Sequence, residues 1–324
     1  MTTDSTRNEV RRLGRGGLRR WASSAVALAS LLVVSLGGAR GDSDPHNVYA
    51  GRAEVYRQLP VESLERLSTP EAIRAVSMPN MAPSKIWRVL EHGERVECLD
   101  CIPHVAKLLY AGHPKTREIG AWWLRRRIFG VFGPGEVYSQ VVETLKDPAA
   151  PEERRAHAAE ALGEFLTHAG LEPLATAAVS DPSPQVRWSA VGALARMGHP
   201  GPRGELATAM GDEDARVRLA AVDATVGMHG YSDMDAVIAR LADESPEVRR
   251  RAAQVLGVAR ASAAAPHLLE LTSPDTEPDA RVRAAAVFSL GRIGDPAAKG
   301  AVQAAREDSD RFVRDAARVA LRRL

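Results

Sequence analysis

The sequence predicts an all-α protein, a right-handed superhelical solenoid of stacked helical hairpins. Three observations predict it. A phrase of acid, arginine and small apolar residues recurs at a nearly constant step, each copy is followed by a second apolar segment, and glycines punctuate the turns between. Composition agrees. The chain has 324 residues, 45% hydrophobic and 26% charged, yet only 15 aromatics, with alanine abundant through the second half. That balance suits a packed helical protein and excludes a disordered one.

The first 41 residues read as an export signal. Arg11, Arg12, Arg15, Arg19 and Arg20 precede an uncharged stretch, "WASSAVALASLLVVSLGGA" at 21–39. A basic lead, an apolar run and small residues at the exit are the parts of a secretory signal peptide, with cleavage expected after Ala39 or Gly41. An uncleaved membrane anchor is the alternative, since 19 uncharged residues just reach across a bilayer, although alanine, serine and glycine dilute them. Membrane contact is expected only through 21–39, and only if that segment is retained. The expected location is therefore periplasmic or extracellular. The formal net charge is +2, but residues 1–41 carry seven arginines against Asp4 and Glu9, so the remainder is faintly acidic. A body with no block of lysine and arginine lacks the electrostatic footprint of a nucleic-acid binder.

Residues 42–83 carry Pro45, Pro60, Pro70, Pro79 and Pro83 and read as an irregular lead-in with short helices. Within it, "TPEAIRAV" (69–76) pairs a threonine cap with proline at the first helical position. The solenoid is expected over 84–324, with divergent, aromatic-rich repeats at 84–150 and regular ones at 151–324.

The regular repeats are marked by Val186, Val217, Val248, Val282 and Val313, at steps of 31, 31, 34 and 31 residues. The longer step contains "SPDTEPD" (273–279), a short loop insertion. From Val248, offsets of 4, 7, 8 and 11 give Ala252, Val255, Leu256 and Ala259; from Val186 they give Ala190, Ala193, Leu194 and Met197. From Val282 they give Ala286, Ser289, Leu290 and Ile293. This is one apolar stripe of an amphipathic helix, repeated in register. Looser copies lie upstream, with Ala158, Ala161, Leu162 and Phe165 in one and Trp123 and Leu124 in the other. Second helices follow at 171–179, 232–242, 264–272 and 296–305, after turns holding Gly198, Gly230 and Gly294. Glycine is favoured there because a helix commonly ends on a left-handed residue. One hairpin cannot bury its apolar face alone, so the copies must stack.

An acid stands six residues before an arginine in every regular copy: Asp181 and Arg187, Asp212 and Arg218, Asp243 and Arg249, Glu277 and Arg283, Asp308 and Arg314. The acid is expected to cap the helix start. The arginine, one turn inside, is expected to reach the acid of its own or the adjacent unit, making a structural ladder of charge-assisted hydrogen bonds.

This pattern resembles the HEAT repeats, in particular their shorter, phycobilisome-lyase type; "ARVRAAAVFSLGRIGDPAA" carries the likeness most fully. The resemblance covers about 114–324 and implies HEAT-like helical hairpins that serve as a surface for other proteins. Deoxyhypusine hydroxylase has a similar array but binds iron through His-Glu dipeptides. None of the nine histidines here is followed by glutamate, so that chemistry is not expected. Chromophore lyases of the same type offer no short motif to match.

Outside the repeats, "ECLDCIPH" (97–104) holds both cysteines, Cys98 and Cys101, with His104 three residues on. A local disulfide, a redox-active pair at a helix start and a partial metal site all fit that spacing. Covalent haem does not, because Ile102 stands where histidine is needed. Nine of the 15 aromatics fall between 49 and 138. Trp122 and Trp123 are adjacent on one helix, so Trp123 is assigned to the core and Trp122, with Arg125 and Arg126, to a candidate partner-binding surface. "FGVFGPGEV" (129–137) reads as a rigid turn. His168, His199 and His229 recur at one edge of the stack.

The expected function is thus a non-catalytic scaffold or adaptor of the cell envelope that binds other proteins, with no catalytic residues, cofactor or metal assigned. The alternative is a thiol–disulfide or metal-handling module built on Cys98 and Cys101, with the solenoid as its docking body.

Overall fold

The computed structural model describes residues 69–127, 129–130, 133–228 and 231–324. The export segment at 1–41, the lead-in up to residue 68, and His229 and Gly230 lie outside the described residues.

The chain forms helical hairpins stacked side by side in two rows. One row holds α2 (Pro83–His92), α4 (Pro114–Arg125), α6 (Glu152–Phe165), α8 (Pro184–Met197), α10 (Ala215–Gly227), α12 (Pro246–Ala259), α14 (Ala280–Ile293) and α16 (Arg311–Ala320), each packed on the next. The other holds shorter helices: α1 (Pro70–Val76), α3 (Ile102–Ala106), α5 (Glu136–Lys146), α7 (Leu171–Ser180), α9 (Arg203–Ala209), α11 (Asp235–Ala239), α13 (Ala265–Glu270) and α15 (Lys299–Ala304). Several of the short helices enter or leave through a tighter 3₁₀ turn, as at 168–170, 240–242 and 305–307. The first helix among the described residues starts at Pro70, inside the stretch read as a lead-in with short helices. Thr69 caps α1 as its sequence predicts, its Oγ1 accepting the Ala72 N–H at 3.2 Å. The loop after α4 is a two-residue antiparallel pair, Phe129–Gly130 against Gly133–Pro134, rather than a simple turn.

The predicted stripe is the core. Val186, Ala190 and Leu194 are fully buried, as are Val248, Ala252 and Leu256. Ala286 and Leu290 are fully buried too, and Ser289 and Val282 nearly so. The fourth offset departs from expectation. Ala259 is exposed, and Met197 and Ile293 are half-buried against the core, each at the last position of its helix.

Close approach along the long row depends on small residues at a register the periodicity did not mark. A Cβ on Gly163 of α6 would lie 2.7 Å from the Ala193 Cβ of α8. The same clash recurs between Gly257 and Ser289 and between Gly291 and Ala320. Glycine at this place lets the helix backbones approach, and side chains interlock only where they fit. Helix ends also differ from the glycine rule. Gly198 and Gly294 take left-handed conformations, with φ of 61° and 78°, but Leu166 and Arg260 do so as well, at 54° and 52°.

Candidate functional site

The arginine of each repeat has two tasks, and they fall on different hairpins. Arg187 donates from Nε and Nη2 to both oxygens of Asp212, at 2.6 and 2.9 Å. Its Nη1 donates to the main-chain carbonyl of Asp181, at 2.9 Å, and that of Pro182. Arg218 holds Asp243 in the same way, Arg249 holds Glu277, and Arg283 holds Asp308. The acid six residues before an arginine therefore offers that arginine only its carbonyl oxygen. Its carboxylate belongs to the arginine of the preceding hairpin. The loop inserted before Glu277 stretches the Arg249 rung without breaking it, since glutamate is one methylene longer than aspartate.

These pairs are desolvated. The side chains of Arg218 and Asp243 are 6% and 2% exposed, and those of Arg283 and Asp308 are 5% and 1% exposed. Hydrogen bonds donated to Asp212, Asp243, Glu277 and Asp308 raise the guanidinium pKa values of Arg187, Arg218, Arg249 and Arg283 above the ordinary value. The hydrogen bonds from Arg283 lower the carboxyl pKa of Asp308.

The ladder acids do not cap the long helices, contrary to expectation. Each accepts the N–H two residues on, as Asp181 does from Ser183 at 2.8 Å and Asp308 from Asp310 at 2.8 Å, which closes the turn before the helix. Where a side chain caps, it is that of the residue after the turn, whereas Ser183 and Ser245 at the same place make no such bond. Asp214, Asp279 and Asp310 accept the N–H of Arg216, Arg281 and Phe312.

Two further rungs were missed by the six-residue spacing. Arg155 holds Asp181 through two 2.9 Å bonds and the Ala150 carbonyl through Nη1. Arg117 grips the Ala111 and Gly112 carbonyls in the same way but takes its carboxylate from Glu160, within α6. In both hairpins the place six residues upstream holds alanine, Ala149 and Ala111, so only the spacing from an arginine to the acid of the next unit would have found Arg155.

At the amino-terminal end Cys98 and Cys101 form a disulfide, with Cα atoms 5.3 Å apart. Cys101 is fully buried and Cys98 is 8% exposed. Trp123 is fully buried, its indole N–H donating to the Gly93 carbonyl at 3.0 Å. Trp122 is half-buried at the edge of the core, Arg125 is half-buried, and Arg126 is exposed and paired with Glu94 at 2.8 Å. The neighbouring Arg127, not singled out by sequence, stacks 3.6 Å over the Trp123 ring and donates to the carbonyls of Trp123, Glu94 and Val96. Burial lowers its pKa, against the opposing charges of Glu97 and Glu94. His168 and His199 meet edge to face, with ring centroids 4.5 Å apart, and His199 Nδ1 accepts the Gly201 N–H.

A cleft of about 320 Å³ opens across α4, α6 and α8, lined by Arg117, Glu160, Glu164, Trp188, Ser189 and Gly192 among others. Trp188 is 42% exposed, the largest aromatic surface on the regular repeats apart from Phe312. Ser189 beside it is 4% exposed, and its hydroxyl has no partner among the described residues. The charged lining is tied back: Arg117 to Glu160, Arg196 to Glu164, and Lys115 to Glu118. Periodicity missed this cleft because Trp188 lies off the buried stripe, where a lone aromatic carries no period.

The family model for HEAT repeats matches residues 171–232 and 234–322. Among solved structures the chain is similar to Kap95p, described in its binding of RanGDP, at 16% identity over 80% of this chain and 42% of that one, with a TM-score of 0.58. It is also similar to YibA of E. coli, at 16% identity over 83% of this chain and 99% of that one, with a TM-score of 0.53. Human deoxyhypusine hydroxylase in complex with glycerol is similar at 23% identity over 81% and 96% of the two chains, with a TM-score of 0.34. No curated protein matches the sequence. The fold is an all-α solenoid of HEAT-like helical hairpins.

Proposed function

We propose that this protein is an exported, non-catalytic scaffold of the cell envelope, with repeats of the phycobilisome-lyase type, which holds another protein against its row of long helices. The observation that carries the reading is Trp188, exposed on the rim of a cleft whose floor holds the unpartnered hydroxyl of Ser189. A large aromatic beside a partly apolar recess is the kind of anchor that dominates protein interfaces. Trp122, Arg125 and Arg126 form a second contact area in the same proposal. Export rests on the segment at 21–39 and fits a chain whose two cysteines are joined. The competing thiol–disulfide reading has less behind it, because exchange needs an accessible sulfur and Cys101 has none of its surface exposed.

The test is photo-crosslinking in intact cells from a probe at Gly192, which faces open space in the cleft. A single discrete crosslinked protein in the envelope fraction, lost in Trp188→Ala and kept in Cys98→Ala/Cys101→Ala, is the expected result. Loss in the cysteine variant alone would favour the thiol module. A chain that fractionates with the cytoplasm would end the envelope assignment.

A further inference from the structure

Arg155, Arg187, Arg218, Arg249 and Arg283 bind a carboxylate in one manner. Nη1 is pinned to carbonyl oxygen of the arginine's own hairpin, which aims Nε and Nη2 at the acid of the next. Arg314 stands in the sixth such place. Its Nη1 donates to the Asp308 carbonyl at 2.7 Å and the Ser309 carbonyl at 2.8 Å, so the guanidinium is aimed as in the other five. Among the described residues no carboxylate meets its Nε and Nη2.

The face that α16 presents differs from those that the preceding long helices bury. One repeat on from Val287 and Gly291, which α14 buries against its neighbour, stand Arg318 in α16 and Arg322 in the turn just after it. Stacking a helix there would bury two cations, of which Arg318 alone has an acid beside it, Asp315 at 2.6 Å, and burying charge is costly. The surface is instead rich in arginine: Arg311, Arg314, Arg318, Arg322 and Arg323 fall within 13 residues that hold one acid, Asp315, and Phe312 is 67% exposed beside them.

We propose that the Arg314 end of the array docks an acidic segment of a second protein, with an aspartate or glutamate seated on Nε and Nη2 as Asp308 is seated on Arg283. Arg318 and Arg322 attract the flanking acids, and Phe312 is covered. The array itself repeats the template for the occupant five times: a carboxylate in a tight turn, which accepts the main-chain N–H two residues on. Planar bidentate pairing is what arginine provides and lysine does not.

The probe is the blocked hexapeptide Asp-Glu-Ser-Pro-Glu-Val, copied from residues 243–248, added to the full chain while the Arg314 Nε–H resonance is followed by NMR. A saturable shift at millimolar peptide is expected. Replacing the first aspartate of the peptide by asparagine should weaken binding about tenfold, about 1.4 kcal/mol. Arg314→Lys, which keeps the charge and loses the fork, should weaken it by a similar factor. Should that variant fail to fold, the two peptides on the native chain still decide the matter. No saturable shift, or equal binding of the asparagine peptide, overturns the proposal. So does self-association of the chain that Arg314→Lys abolishes, since the occupant would then be a second copy.

Discussion

Arg218 and Asp243 face each other across a hairpin boundary through two parallel 2.8 Å hydrogen bonds, and both are almost wholly buried. The third nitrogen of Arg218 holds the carbonyls of Asp212 and Glu213 behind it, so one side chain ties the main chain of one repeat to the carboxylate of the next. Removing one member strands a buried charge. Asp243→Ala is expected to cost about 3–5 kcal/mol, read as a fall in the urea midpoint. Replacing both, as in Arg218→Met with Asp243→Leu, should recover a large part of that loss. Arg318→Ala, whose partner Asp315 is exposed at the surface, should cost less than about 1 kcal/mol. Equal losses from the buried and the exposed pair would show that the ladder contributes nothing special.

The glycines of the long row divide by what lies opposite them. Gly163→Val forces a branched side chain into Ala193 and should destabilise the array by about 1–3 kcal/mol. Gly192→Ala meets nothing within 4 Å and lies in a helix interior, so it should stabilise by about 0.5–1 kcal/mol. Thermal melts of the two variants check both signs at once.

Acid sensitivity is expected in two pH ranges. The side-chain hydrogen bonds of Arg216 and Arg281 hold Asp214 and Asp279 at about 2, against an ordinary 3.8. Between those values the unfolded chain takes up protons that the folded one refuses, so their contribution is complete above about pH 4 and drains away toward about pH 2. Asp214→Asn with Asp279→Asn should flatten stability against pH over that range only. His157 acts higher. Burial, aided by Arg117, lowers its pKa below the usual 6.5, so the unfolded state binds the proton first and stability declines as pH falls below that value. His157→Leu should remove that part of the slope, seen in denaturant melts between pH 5 and 7.5.

The Cys98–Cys101 bond closes a loop of minimal length, and chain entropy then assigns it about 2 kcal/mol. Cys98→Ala with Cys101→Ala should lower the melting midpoint of the amino-terminal hairpins while leaving the cleft at Trp188 intact. Alkylation under mild reductant should be slow in the folded chain and fast in urea, because Cys101 is reached only after local opening. Rapid labelling of the native protein would revive the thiol-exchange reading.

Sequence reasoning located the repeat, the buried stripe and the role of Thr69 because each depends on residues close together along the chain. It found the acids and arginines of the ladder but not their pairing. Asp181 and Arg187 are six residues apart and share only a carbonyl contact, whereas Arg155 reaches Asp181 across 26 residues. The Trp188 cleft and the Arg127 clamp on Trp123 were likewise beyond it, since each joins segments with no periodic relation.

The sequence by itself determined that the chain is a stack of helical hairpins, because an apolar stripe recurring every 31 residues has no other way to leave water. Only the tertiary structure decided which hairpin each charge serves. A guanidinium pinned to the backbone behind it aims its remaining donors forward, and the distance between stacked helices, set by glycine and alanine at their seam, fixes which carboxylate lies there.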